Sequence, residues 1–356
     1  MKKPVIALVL LLLAGIGGYL ARHKIKALLF SPAPRTENTV EKRLLFRIDP
    51  TLDELADALQ QEGIISDKSH FLSYVQENKL PKENFAAGKY MILSGTLLDD
   101  LVSGFVKGDN GQGKAEVKVN VVFNNCEVVE DIGSNISRCI LADSASIVDC
   151  ILSRETLSTY NFTAEQIPAL FIPKTYEMYF DTNAEEFVAF MAERFKEFWT
   201  DERKAKLKAV GLERESQAAT LASIVFMEQS RHQEEWPIIA KLYLNRLQKG
   251  MKLEADPTFK FCWPDRLNGI EHLLHVHRDK DCPYNTYLYN GIPPGPVCIP
   301  PADAIDAVLN PADVDYIFLC GDGTGRHNFA ATNAEHERNV AAYRKWLREY
   351  EQSKEG

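Results

Sequence analysis

The sequence predicts an α+β protein built from an N-terminal transmembrane helix, a small βααβ module and a larger mixed α/β domain. Three observations carry this prediction. Residues 5–21 run for 17 positions without a charge, the order strand, helix, helix, strand spans residues 44–93, and from residue 108 onward apolar stripes of helical period alternate with short strands and Pro/Gly-rich loops. With 356 residues, 45% hydrophobic and 26% charged, the chain has the composition of a folded protein of two or three domains.

Val5–Ala21 reads as a retained anchor, because it exceeds the apolar core of a signal peptide and is followed by Arg22, Lys24 and Lys26. Lys2 and Lys3 precede it, so charge alone does not orient the span. Residues 1–30 therefore form a tip and anchor, 31–43 a polar Pro-containing linker, 44–107 the βααβ module and 108–350 the larger domain. The net charge of −9 hides an asymmetry: residues 1–30 carry five bases and no acid, leaving 36 bases against 50 acids in the rest. A body that acidic argues against nucleic acid as a partner.

Leu44–Ile48 reads as a strand. Thr51 and Glu54 form a capping box for a helix carrying Leu52, Leu55, Ala56 and Leu59, which Gly63 stops. A second helix from near Ser66 carries Phe71, Leu72 and Val75, Gly88–Leu93 is a second strand, and Thr96 begins a helix with Leu97, Leu98, Leu101, Val102 and Phe105. After a turn-rich break at Asp109–Gly113, Val117, Val119, Val121 and Phe123 alternate as a half-buried strand. A mostly helical stretch then runs to about residue 170. Phe171–Phe180 is an aromatic loop or extended segment, and Ala184 to about Val210 is one charged amphipathic helix. The seven cysteines are irregularly spaced and show no disulfide framework. Cys262 and Cys282 could bracket a loop, but small buried hydrophobes are the commoner case.

Chemistry concentrates after residue 217. Gln217–Arg231 is helical by content, and Leu221, Ile224 and Val225 set a stripe whose next position is Glu228. A carboxyl on a buried face is paired or has a raised pKa, and a raised pKa suits a general acid near neutral pH. The competing reading is a helix end where Glu228 reaches solvent or pairs with Arg231. A second helix over Ile238–Leu247 ends at Gly250. Loops rich in Asn, Thr, Tyr, Gly and Pro follow, as expected for the wall of a groove that takes a hydroxylated polymer.

The segments Leu221–Glu228, Leu244–Leu247, Gly250–Leu253, Asp256–Thr258, Tyr284–Tyr287, Gly291–Gly295 and the His327/Phe329 stretch resemble, in order and spacing, the YceG-like (MltG) family of endolytic murein transglycosylases. Phe171–Tyr176 and the single anchor also resemble that family, and residues 44–93 resemble a LysM carbohydrate-binding module. The resemblance implies a lysozyme-like catalytic helix, an inner-membrane enzyme with its catalytic domain in the periplasm, and peptidoglycan glycan strands as substrate. It implies no cofactor, and peptidoglycan synthases as partners. Glu228 matches the family's catalytic glutamate. Phe226 stands where family members commonly carry another Glu, which leaves Glu228 the one acid of the motif. The family's second acid matches Glu235, by its ten-residue distance to Asn245, better than it matches Glu234. Glu235, Asn245, Asp256, Thr258, Tyr284, Asn285, Tyr287 and His327 are the expected substrate-binding groups around the groove, with Glu235 best suited to support a cationic transition state.

Two alternatives come from other classes. His272, His275 and His277, between Cys262 and Cys282, offer ligands for a zinc-dependent wall amidase or peptidase, although His-x-x-His-x-His matches no standard zinc spacing. A noncatalytic peptidoglycan-binding scaffold is the other, and an acid on a buried stripe speaks against it.

Overall fold

A computed structural model describes residues 34–124, 126–268 and 275–355. The expected anchor lies outside these residues, and no described helix is long and apolar enough to cross a membrane. The chain divides into two compact units, Met1–Val117 and Lys118–Gly356.

In the first unit, β1 (Lys42–Phe46) pairs antiparallel with β2 (Gly88–Ile92), with Leu44 opposite Tyr90. Between them run α1 (Leu52–Gln61) and α2 (Lys68–Glu77), and α3 (Leu98–Phe105) follows. The capping box forms as its spacing requires: Thr51 N donates to Glu54 Oε2 at 2.8 Å, and Glu54 N to Thr51 Oγ1 at 3.3 Å. Leu55, Leu59, Phe71, Val75, Val102 and Phe105 close a separate small core. Residues 108–117, grouped with the larger domain on sequence pattern, bond back to this unit, through Ala115 N to Gly104 O and Val117 N to Lys89 O, both at 2.8 Å. These backbone bonds outweigh the turn composition of Asp109–Gly113 as a boundary signal.

The second unit begins with β3 (Lys118–Val122), antiparallel to β4 (Thr175–Tyr179), so half of the aromatic segment is a strand. Between these strands lie α4 (Val129–Ile136), α5 (Ser144–Leu152), α6 (Arg154–Tyr160) and a 3-10 turn, Ile167–Leu170. Where one helix was expected from Ala184 to about Val210 there are two, α7 (Ala184–Phe198) and α8 (Asp201–Ala209). Thr200 Oγ1 accepts the Arg203 N–H at 3.3 Å as the N-cap of the second, and Trp199 is buried at the break.

The site is organised by α9 (Glu215–Glu228), packed against α10 (Trp236–Gln248) and α13 (Ala302–Leu309). Every residue from Ala218 to Val225 is buried, so the stripe that pointed to Glu228 belongs to a stretch of helix enclosed on all sides, and only the last turn, at Phe226–Glu228, reaches the surface. Burial of Leu221, Ile224 and Val225 contributes about 1.5–3 kcal/mol each. The polar members satisfy themselves. Thr220 Oγ1 donates to Ser216 O, and Ser223 Oγ donates to Thr220 O and accepts Val297 N at 3.0 Å, which ties the Pro-rich loop to the helix. In that loop a Cβ on Gly295 would lie 1.8 Å from Glu165 O, so only glycine allows the approach. Short helices α11 (Asp256–Phe261) and α12 (His275–Arg278), the hairpin of β5 (Phe318–Gly321) and β6 (His327–Ala330), and α14 (Asn333–Glu355) complete the unit. Cys262 and Cys282, read as buried hydrophobes, instead form a disulfide with Cα atoms 6.0 Å apart. Folding brings them within bridging distance, which spacing along the chain does not reveal.

Candidate active site

Glu228 is the last residue of α9, where the buried helix emerges into a cavity of about 420 Å³ lined by Glu228, Tyr243, Asp256, Arg278, Tyr287 and His327 among others. Loss of water around the Glu228 carboxyl pushes its pKa up to about 7, and the charge of Asp256 adds to this. His327, the Tyr243 hydroxyl and Lys260 pull the other way. Tyr243 donates to Glu228 Oε2 at 3.4 Å, and burial holds its phenol well above the ordinary value, so it remains a donor. The helix end thus turns a half-buried acid into this cavity, where the competing reading had it reach open solvent or pair with Arg231. A carboxyl titrating near neutrality can give a proton and take one back.

Asp256 opens α11 ahead of Pro257, and its Oδ1 accepts the Tyr287 hydroxyl at 2.6 Å. Burial and the Asp256 carboxylate raise the Tyr287 pKa, which keeps that proton in place. His327, from the first position of β6, completes the wall.

Glu235 does not line the cavity. It is buried behind it, where Oε2 accepts Gln229 Nε2 at 2.9 Å and faces His327 Nδ1 at 2.8 Å, while Oε1 accepts the His327 backbone N–H at 3.2 Å. Its contact with the residues of the cavity wall is through His327. Glu234, the other candidate for that match, is exposed and pairs with Arg326 at 2.6 Å.

Three expected groove residues are internal wiring. Asn245 Nδ2 donates to Val314 O and Tyr316 O, both at 3.0 Å, which fixes the approach to β5. Thr258 is fully buried and bonds Thr286 Oγ1 at 2.8 Å, locking the Asp256 turn to the Tyr287 loop. Asn285 is also fully buried, and its Nδ2 holds Arg278 O at 2.7 Å and Lys280 O at 2.9 Å. Tyr284 lines a different cavity, with Glu127, Glu165 and Phe261. The Asn/Thr-rich loops thus serve as hydrogen-bonded joints, with only some of their residues forming the wall.

Tyr243, Arg246 and Arg278 also line the cavity and were not foreseen as site residues. Tyr243 and Arg246 sit among the buried positions of α10, so a signal existed: polar groups on an apolar face, as at Glu228. Arg278 gave none, since its position depends on pairings distant in sequence. Of the histidine cluster, His272 lies outside the described residues, and the thiols of Cys262 and Cys282 are occupied by each other. Among the described residues no group of three His, Cys, Asp or Glu is arranged to hold a metal ion.

The model of the YceG-like family matches residues 47–342. An endolytic murein transglycosylase of Streptococcus pneumoniae serotype 2 is 23% identical over 319 residues, covering 82% of this chain and 56% of that protein. One of Bacillus subtilis is 30% identical over 124 residues, 35% of this chain and 33% of that protein. The chain thus spans between a third and about half of the length of these curated relatives. A crystal structure of a yceG-like protein from Listeria monocytogenes superposes with a TM-score of 0.52 at 21% identity, over 85% of this chain and 99% of that one, which supports the same fold. With a family match that takes in both α9 and the His327 hairpin, the chain belongs to the YceG-like family.

Proposed function

We propose that the protein is an endolytic lytic transglycosylase that cuts the MurNAc–GlcNAc bond within nascent peptidoglycan strands and leaves 1,6-anhydro-MurNAc ends. The observation that carries this reading is the Glu228 carboxyl, half-buried in the cavity at the end of a buried helix, with its pKa pushed up to about 7. Glu228 protonates the bridging oxygen as the glycosidic bond breaks. The 6-hydroxyl of the same MurNAc then attacks the anomeric carbon, and the Glu228 carboxylate takes its proton. The nucleophile is part of the substrate, so the site has no water to position and its effective concentration is high. Asp256, held by Tyr287, supplies negative charge beside the developing oxocarbenium ion, and His327 is steadied for the same pocket by Glu235.

The wider setting belongs to the same proposal. Val5–Ala21 anchors the chain once in the inner membrane, the catalytic unit faces the periplasm, the βααβ unit acts as a LysM-like glycan-binding module, and peptidoglycan synthases are partners. The strand–helix–helix–strand order and the antiparallel β1–β2 pair support the LysM comparison.

Asp256 and Glu254 are further carboxylates lining the cavity, Glu254 being paired with Arg246, so Asp256 is the one that favours glycoside hydrolysis as the competing reading. Mass spectrometry of products released from peptidoglycan separates the two. Anhydro ends, one water lighter, support transglycosylation, and reducing ends would replace it with hydrolysis.

A further inference from the structure

Two arginines line the Glu228 cavity, and they differ in what their guanidinium groups do. Arg246 is taken up by the backbone and by Glu254, donating to Ile317 O at 2.6 Å, Leu253 O at 2.9 Å, Lys252 O at 3.1 Å and Glu254 Oε2 at 3.1 Å. Arg278 Nη2 lies 3.6 Å from Asp256 Oδ1, beyond hydrogen-bond range, and that oxygen already accepts the Tyr287 hydroxyl. Arg278 Nε is buried without an acceptor among the described residues. The guanidinium carbon sits 4.9 Å from the centre of the Tyr287 ring, so one face of the fork is covered, while the side chain stays 37% exposed and no hydrogen bond from its terminal nitrogens forms among the described residues beyond the long ion pair to Asp256.

The backbone that carries this arginine is held from three sides. The Asn285 amide grips Arg278 O and Lys280 O, Trp263 Nε1 donates to His277 O at 3.2 Å, and the Cys262–Cys282 bridge closes the segment. A buried donor without an acceptor is costly, and the planar fork matches a carboxylate in two places at once.

We infer that Arg278 is a specificity-determining residue that receives a carboxylate carried by the glycan substrate, an inference that rests on the transglycosylase reading above. The sugar rings of the strand are neutral. Its carboxylates are the 3-O-lactyl group of muramic acid when that group is free, or the acids of the stem peptide when the lactyl is amidated. Both sources present the same chemistry to the fork.

The test compares the wild-type chain with Arg278→Gln and Arg278→Lys on stem-bearing strands, on peptide-stripped strands, and on both after conversion of their carboxyls to methylamides. Arg278→Gln should lower kcat/KM on carboxylate strands by about tenfold to a hundredfold more than on capped strands, the usual reach of a hydrogen bond to a charged group, and Arg278→Lys should recover part of it. Loss confined to stripped strands assigns the lactyl group, and loss confined to stem-bearing strands assigns the peptide. Equal loss on charged and capped strands, or indifference of the wild type to capping, would overturn the inference. If the wild type cleaves none of the strands, the transglycosylase reading fails on its own. Binding of the same strands to the two forms then decides: charge-dependent binding lost in Arg278→Gln upholds the inference, and equal binding rejects it.

Discussion

His327 Nδ1 lies 2.8 Å from Glu235 Oε2, although 92 residues separate the two in the chain. This contact occupies Nδ1, so the opposite ring edge, Nε2, is the one left for another partner. Glu235 also holds the His327 backbone and Gln229, which makes it the pin between the start of α10 and the hairpin.

Glu235→Gln should therefore lower kcat by about tenfold while leaving the fold intact, since the amide can still accept one of these bonds. Glu235→Ala should in addition destabilise the protein by about 2–4 kcal/mol, because several buried donors lose their acceptor. Kinetics paired with denaturant unfolding reads both. A Glu235→Gln enzyme as impaired as one lacking Glu228 would contradict a role exerted through His327.

The pH dependence follows from Glu228. The acid must be protonated to start the reaction, so kcat/KM should be level below about pH 7 and fall about tenfold per pH unit above it. Asp256 raises the Glu228 pKa, so Asp256→Asn should move the alkaline limb to lower pH. A limb that stays in place in Asp256→Asn would detach it from Glu228.

Stability has the matching sign. The folded value of about 7 exceeds the ordinary 4.5, so between these values the folded protein holds the proton more tightly than the unfolded chain and loses stability as pH rises. Above that window Glu228→Gln should be more stable than wild type by roughly 2–3 kcal/mol, a gap that closes as pH falls toward 4. Urea unfolding at pH 4, 6 and 8 measures it, and a gap independent of pH would contradict the titration.

Replacing Cys262 and Cys282 by Ser should cost about 3 kcal/mol of stability through the freed 20-residue loop. The same change should weaken cleavage by loosening the segment that carries Arg278. Thermal unfolding and activity with and without reductant give the comparison. Unchanged activity in the reduced protein would show that the Asn285 and Trp263 bonds position Arg278 by themselves.

The strands and helices of the first unit are legible in the sequence because local signals set them: the Thr51 capping box, the helix stop at Gly63 and the apolar periods of α1 to α3. Glu228 is legible for a related reason, as an acid following an apolar run. The roles of Asn245, Thr258 and Asn285 are not, since a polar residue on a groove wall and one buried in a hydrogen-bonded joint share the same composition. The break at Trp199–Thr200 is hidden by the good helix formers on both sides of it, which make the Thr200 cap easy to read through, and the disulfide by a fold that joins residues 20 apart.

If Glu228 alone gives and takes the proton, the yield of anhydro-ended fragments from peptidoglycan with wild type, Glu228→Gln and Glu235→Gln under one set of conditions should show it. Glu228→Gln should release them about 10²–10⁴ times more slowly, or slower still, with Glu235→Gln in between. Near wild-type release by Glu228→Gln together with abolished release by Glu235→Gln would contradict the account and move the catalytic acid to the start of α10.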